Sequence, residues 1–223
     1  LDRLDLATGG FAHHLKDRRD PGSLPSNHVR ALAEDHLGAL WVGTDGGGLA
    51  RRDPQTGAWA TLRHDPLAPA SLPTDRVYSL FEDRSHVLWV GTYGGGLAAT
   101  EVGRKRFRSY RSVRQDPTSL GHDIVWALHE DSSGVLWVGT DSGGLDRFDA
   151  ASGVFQHFRH DPADPGSLSH DTVRAITHGP GGELWVAMRC VNRHIGGLLL
   201  RLIEAHNALV SRRGGVLLYD GRF

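Results

Sequence analysis

The stretch Leu40-Trp41-Val42-Gly43-Thr44 recurs at residues 88–92 and again at residues 136–140, and an imperfect fourth copy surrounds Trp185. The four tryptophans of these copies, Trp41, Trp89, Trp137 and Trp185, are spaced 48 residues apart each time. Other columns keep the same period, with a valine twelve residues, a leucine seventeen residues and an aromatic residue thirty residues before each tryptophan. A fixed period of this length is typical of architectures in which one supersecondary unit is repeated.

Each repeat contains four short strand candidates, A to D, which in the second copy are residues 77–81, 88–92, 97–100 and 107–111. Glycine and proline separate them too often to allow helices before residue 188, and β-branched and aromatic residues are concentrated in strand B. The sequence therefore predicts an all-β protein, a β-propeller of four-stranded antiparallel blades. The strand-B tryptophans are expected to pack between neighbouring blades, and the first three are expected to be buried in equivalent places.

The chain begins in the middle of a blade, because residues 1–5 match residues 145–149. We expect a half-blade at 1–15, whole blades at about 28–64, 76–111 and 124–160, and an irregular last blade at 173–223, all in one domain. This makes a partial, open propeller of about 4–5 blades, with no pairing between residues 1–15 and 184–188. Residues 189–213 are an expected insertion, with a short helix as one interpretation. Unpaired edges of an open ring favour self-association.

The composition argues against several classes of partner. The chain has 25 basic and 26 acidic residues, so nucleic acid is not an expected partner. No apolar run approaches the roughly 18 residues that a membrane helix needs, and any membrane contact or targeting signal is expected in segments absent from this chain. The single cysteine, Cys190, excludes an internal disulfide.

The candidate binding face is the one from which the B–C and D–A loops emerge, because variable loops on a rigid scaffold often bind ligands. Two columns near this face vary between repeats and combine flat rings with hydrogen-bonding groups, as a sugar or a small organic acid requires. Tolerated residues at strand ends are the alternative interpretation. The column at the start of strand A is Arg30, Tyr78, Trp126 and Arg174, and the column after strand B is Asp45, Tyr93, Asp141 and Arg189.

Other motifs do not indicate chemistry. The Glu-Asp pairs at 34–35, 82–83 and 130–131 recur at one turn and are expected to stabilise it. The 14 histidines show no metal-ligand spacing, so no metal site is expected. The glycine turns lack the lysine and helix of a phosphate loop, and no Gly-x-Ser-x-Gly motif is present. We expect no cofactor and no intrinsic catalytic activity in this segment.

The repeat resembles the two-component regulator propeller repeat. The residues that carry the resemblance read, in one copy, Asp116-Pro117, Ser119-Leu120, Val125, Leu128, Asp131, residues 134–140, Gly143-Gly144-Leu145 and Phe155. The resemblance covers residues 1–188 and implies the periplasmic or extracytoplasmic sensor part of a bacterial signalling protein, which binds a small-molecule ligand, often a saccharide. Two alternatives stay open: a propeller lyase that acts on a cyclic antibiotic, and a protein-docking scaffold.

Overall fold

The computed structural model describes the unit formed by residues 1–189. All the regular elements of this unit are β-strands, and none of its elements is a helix long and apolar enough to cross a membrane. The strands, in chain order, are β1 (Asp2–Leu4), β2 (Phe11–His13), β3 (Val29–Glu34), β4 (Leu40–Thr44), β5 (Gly48–Arg52), β6 (Trp59–Leu62), β7 (Val77–Glu82), β8 (Val87–Thr92), β9 (Leu97–Glu101), β10 (Arg108–Tyr110), β11 (Val125–Glu130), β12 (Leu136–Thr140), β13 (Leu145–Asp149), β14 (Val154–Phe158), β15 (Val173–His178) and β16 (Leu184–Met188).

Within residues 1–189 the strands form three complete blades and two partial ones. Strands β3 to β6, β7 to β10 and β11 to β14 each make a four-stranded antiparallel sheet in sequential order. The first strands of successive blades, β3, β7, β11 and β15, lie next to one another and form the inner layer of the arc. The predicted all-β fold, a partial propeller of four-stranded blades, is confirmed.

The ring is open within the described residues. Strand β1 pairs only with β2, and β15 pairs only with β16, so the N-terminal strands do not complete the sheet around Trp185. The predicted lack of pairing between these segments is confirmed. The expected insertion at 189–213 and the rest of the irregular last blade lie outside the described residues, apart from Arg189.

Successive blades approach closely because strand B has a glycine where the next blade presents a valine. A Cβ atom on Gly43 would lie 2.6 Å from Cγ1 of Val77 in the following blade. The same relation holds for Gly91 with Val125 and for Gly139 with Val173. In the fourth repeat the position is Ala187. The constant Gly of the repeat is therefore a requirement of blade stacking.

Each strand-B tryptophan of the complete blades is fixed by the turn that precedes it. The indole Nε1 donates to an aspartate Oδ2 six residues earlier, at 2.8 Å for Trp41, 2.7 Å for Trp89 and 2.8 Å for Trp137. Oδ1 of the same aspartates, Asp35, Asp83 and Asp131, accepts backbone N–H groups two and four residues later. The aspartate of each Glu-Asp pair thus stabilises its turn.

The burial of this tryptophan decreases along the chain. Trp41 and Trp89 are 2% and 6% exposed, Trp137 is half-buried, and Trp185 is 55% exposed. The first three tryptophans occupy equivalent places, as predicted, but the predicted burial is wrong for Trp137. The reason is that each tryptophan packs on the blade that follows, as Trp89 does on Phe148 at a ring distance of 5.3 Å. The described part of the fourth blade contains only β15 and β16 to cover Trp137.

Candidate functional site

A β-bulge at the start of every inner strand positions the first variable column. In the first blade Val29 pairs with Thr44 and Ala31 pairs with Gly43, which leaves Arg30 without a partner residue. The same register shift places one residue at the bulge in each of the other three blades, namely Tyr78, Trp126 and Arg174. A bulge bends the strand and turns the extra side chain away from the regular alternation. All four residues of the predicted column are therefore placed by one repeated backbone device.

The second variable column lies beside the bulges, at the first residue after strand B. The backbone holds its four members in the same way. The N–H group of each donates to the carbonyl oxygen of the residue that immediately precedes strand A, at 2.9–3.0 Å. The pairs are Asp45 with His28, Tyr93 with Arg76, Asp141 with Ile124 and Arg189 with Thr172. The two columns consequently meet at the end of the blades that carries the B–C and D–A loops.

Three aromatic rings from two blades form a cluster at this end. The ring centroid of Tyr78 lies 5.1 Å from that of Trp126 and 5.3 Å from that of Tyr93, and Trp126 lies 6.2 Å from Tyr93. Both contacts of Trp126 are edge-to-face, which is a favourable geometry for aromatic pairs. The tryptophan and the two tyrosines therefore support one another as a preformed apolar patch.

Guanidinium groups cover the aromatic cluster. The Cζ atom of Arg174 lies 3.7 Å from the ring centroid of Trp126, and that of Arg76 lies 4.0 Å from Tyr93. Arg30 stands 5.1 Å from Tyr78. These distances fall within the range of cation–π attraction. The three guanidinium groups are therefore held against the rings of the cluster.

Two aspartates order the polar part of the site. Asp45 accepts hydrogen bonds from Tyr78 Oη (2.8 Å), Arg76 Nε (2.9 Å) and an Arg30 nitrogen (3.3 Å). Burial acts to raise the pKa of Asp45, but the hydrogen bonds from these residues lower it below its ordinary value. Burial, and then the hydrogen bond to Asp45, raise the pKa of the Tyr78 hydroxyl. Asp141 accepts from Trp126 Nε1 at 3.2 Å. The network is thus charged and preorganised.

The structure brings together seven of the eight predicted site residues. Arg189 occupies the equivalent turn, but within the described residues its side chain makes no hydrogen bond or ring contact with this network. Arg76, which contacts Asp45 and both tyrosines, was missed by the sequence reasoning. A signal was present, because the column thirteen residues before the tryptophan also varies, with His28, Arg76, Ile124 and Thr172.

A second polar feature supports the D–A loop of the third blade. Residues 112–117 and 119–121 of this loop border a cleft together with His157 and Arg159. The fully buried Asp146 shares a hydrogen bond with His157 Nδ1 at 2.6 Å and accepts one from the Gly121 N–H at 2.7 Å. Burial raises the pKa of Asp146, against the opposing effect of His157. This arrangement anchors the loop on the candidate binding face.

A third cluster lies at the other end of the blades. His36, from the β3–β4 turn, and His86, from the β7–β8 turn, both face the carboxylate of Glu82. These are groups able to hold a metal ion. Spacing within one repeat gave no indication of them, because the cluster combines residues from two adjacent repeats.

Comparison with known proteins agrees with the repeat seen in the sequence. The family model of the two component regulator propeller matches residues 23–46, 71–94 and 119–142. Each match runs from the end of a D–A loop through strands A and B to the B–C turn. No curated protein sequence matches the chain.

Several solved structures share the fold. The extracellular domain assigned to a one component system of B. thetaiotaomicron has a TM-score of 0.67 and 23% identity over 84% of this chain and 23% of its own. The extracellular domain assigned to a hybrid two component system of the same organism has a TM-score of 0.58 and 20% identity, covering 84% and 29% of the two chains. An inactive virginiamycin B lyase of Staphylococcus aureus has a TM-score of 0.58 and 14% identity, covering 84% and 56%. The chain thus spans less than a third of the two Bacteroides domains.

Proposed function

We propose that this chain, which matches the two component regulator propeller model over residues 23–46, 71–94 and 119–142, is a segment of the sensor part of a bacterial signalling protein. In this role it lies on the periplasmic or extracytoplasmic side and recognises a small molecule. The likeness to two extracellular domains supports the location. Contact with the membrane, and with the module that generates the signal, belongs to segments outside this chain.

The observation that carries the proposal is the cluster of Tyr78, Tyr93 and Trp126 under the arginine groups. Flat rings cover the apolar face of a sugar, and guanidinium groups donate to its hydroxyl or carboxylate oxygens. Three arginines and two aspartates meet here, so the network has an excess of positive charge. We therefore favour a saccharide, with a carboxylate-bearing sugar ahead of a neutral one.

Direct titration tests this proposal. Neutral and uronic-acid oligosaccharides are titrated into the full chain by calorimetry, first with the parent sequence and then with Trp126→Ala. The variant should weaken binding by about 1–3 kcal/mol, in the range for losing an aromatic anchor. Trp185→Ala is the matched control, since Trp185 lies outside the network and is 55% exposed. Equal binding by the parent and Trp126→Ala would refute the assignment of the site.

The two alternative functions have less support. The likeness to virginiamycin B lyase is at 14% identity and concerns the fold alone. A protein-docking scaffold would leave every small molecule without effect in the titration, while a partner protein would still bind the same face. The aromatic and charged network favours the small-molecule interpretation, because its polar groups are already oriented by Asp45 and Asp141.

A further inference from the structure

We propose that His36, Glu82 and His86 form a site for a divalent transition metal, Zn²⁺ in the first place, that links the first two complete blades. The residues come from the β3–β4 turn, the end of β7 and the β7–β8 turn. These A–B turns lie at the end of the blades opposite the candidate ligand face, so the inference does not depend on the proposed function.

The three side chains converge on one point. His36 Nδ1 lies 2.5 Å from Glu82 Oε1, and His86 Nδ1 lies 3.2 Å from the same oxygen. The two imidazole centroids are 3.8 Å apart. Each of the three residues offers one potential ligand atom, and these three atoms all lie within 4.8 Å of one another. Zinc binds nitrogen and carboxylate oxygen at about 2.0–2.2 Å in a tetrahedral arrangement. An ion therefore fits after a small outward movement of the carboxylate.

The backbone at His86 gives an independent indication. Its φ is 62°, in the left-handed region that disfavours side chains. The equivalent position in the other three turns is a glycine, Gly38, Gly134 or Gly182, with φ of 79°, 86° and 83°. Only this repeat places a ligating side chain where the turn requires glycine-like geometry. Backbone strain of this kind is concentrated at functional sites, including those that hold ligands.

The carboxylate is already oriented for coordination. Glu82 Oε2 accepts the backbone N–H of His36 at 2.8 Å, which leaves Oε1 directed towards both imidazoles. Hydrogen bonds that fix a ligand in this way commonly accompany metal sites. The Glu82 side chain is 10% exposed while that of His86 is 58% exposed, so a water molecule has access as the fourth ligand.

The next blade interface shows what this arrangement looks like without the histidines. There the Arg84 N–H donates to Glu130 Oε2 at 3.0 Å, and the position of His86 is Gly134. The glutamate-to-backbone contact thus belongs to ordinary blade stacking. The paired imidazoles are an addition at the first interface, which favours a dedicated role for them.

The decisive variant is His86→Gly. It restores the residue of the other repeats and removes the strained backbone, so the variant should fold and the metal-free protein should melt no lower than the parent. The full chain is treated with chelator and titrated with Zn²⁺ by calorimetry. We expect one Zn²⁺ per parent chain, and at least about 10-fold weaker binding by the variant. Zinc should raise the melting temperature of the parent alone, since binding stabilises only the state that binds.

The control is His178→Gln. His178 also contacts a second histidine, because its Nδ1 lies 3.1 Å from Nε2 of His129, but among the described residues no carboxylate joins this pair in a possible metal site. This variant should bind zinc as the parent does. Three results would overturn the proposal: no zinc binding by the parent, equal affinity in the parent and His86→Gly, or loss of binding in His178→Gln.

Discussion

At the scale of single residues, the Asp-to-tryptophan hydrogen bond couples the charge of a turn to the packing of strand B. Asp131 shows the effect most clearly. Burial raises its pKa, but hydrogen bonds from Ser133, Trp137 and Val135 outweigh burial and lower it from 3.8 to about 2. A carboxylate with a lowered pKa in the folded state stabilises the protein only while it is ionised. The fourth repeat has Gly179 in this place, and Trp185 donates to Glu183 instead.

The first prediction is an acid-dependent loss of stability that depends on Asp131. The contribution of ionised Asp131 to the free energy of unfolding should be complete above about pH 4, the pKa of an unfolded aspartate, and should disappear as the pH falls towards 2. The free energy of unfolding of the parent and of Asp131→Asn is measured by urea denaturation from pH 5 to pH 2. The difference between the two proteins should shrink over this range. A constant difference would show that the ionisation of Asp131 is not coupled to folding.

A second residue-scale prediction comes from two substitutions that occur together in the third blade. Asp146 replaces the alanines of the other complete blades (Ala50, Ala98), and Gly121 replaces prolines (Pro25, Pro73). A proline has no N–H, so only a blade without it can offer Asp146 the hydrogen bond from residue 121. Gly121→Pro should therefore cost about 1–3 kcal/mol by leaving a buried carboxylate oxygen without this donor.

The matched experiment for this pair is a double-mutant cycle measured by denaturant unfolding. Asp146→Ala combined with Gly121→Pro recreates the first two blades at these positions and should cost less than the sum of the single changes. Strict additivity would mean that the two residues are independent.

At the scale of the element, blade stacking depends on the glycine in the middle of strand B. Gly43→Ala would place a methyl group 2.6 Å from Val77 Cγ1 and 3.3 Å from Ala31 Cβ. Overpacking of this kind typically costs about 1–3 kcal/mol, and we expect a lower denaturation midpoint for the variant. Adding Val77→Ala should recover part of the loss, because it removes the clashing atom. If Val77→Ala makes the Gly43→Ala protein less stable still, blade approach is not limited by this contact.

The strands were predictable from sequence because their columns repeat. Strand A of the second complete blade was expected at 77–81 and is Val77–Glu82, and strand D was expected at 107–111 and is Arg108–Tyr110. The β-bulge in strand A was not predictable. It shifts the pairing of strand A with strand B by one residue, but the alternation of apolar and polar residues along strand A stays the same. The positive φ of His86 left a signal in the sequence, because the other three repeats have a glycine at the equivalent position, but this column was not compared.

At the scale of the whole molecule, the decreasing burial of the tryptophans predicts a gradient of stability along the arc. In a repeat array each unit is stabilised mainly by its neighbours. Trp89→Ala should cost about 3–5 kcal/mol through lost packing and a cavity. Trp185→Ala should change stability by no more than about 0.5 kcal/mol, as for an exposed position. Equal effects in urea denaturation would contradict the gradient.

The sequence predicted most of the network on the candidate binding face but not the cluster of His36, Glu82 and His86, and the reason lies in distance along the chain. Comparison of equivalent columns identifies positions that vary at one end of the blades, which includes Tyr78 and Trp126. His36 and Glu82 occupy different columns of different repeats and meet only because two blades stack. Such contacts depend on how the units are arranged in space, which the repeat pattern leaves open.

The glycine-to-valine contact also gives every blade interface a direction. Strand B of one blade receives a valine from strand A of the next blade, so the two surfaces that meet at an interface are different from each other. Contacts of this kind build rings or open filaments. Because Ala187 replaces the glycine, its methyl group would occupy the space that the valine needs. A blade stacked on β16 would therefore lack the close approach that glycine allows at the first three interfaces.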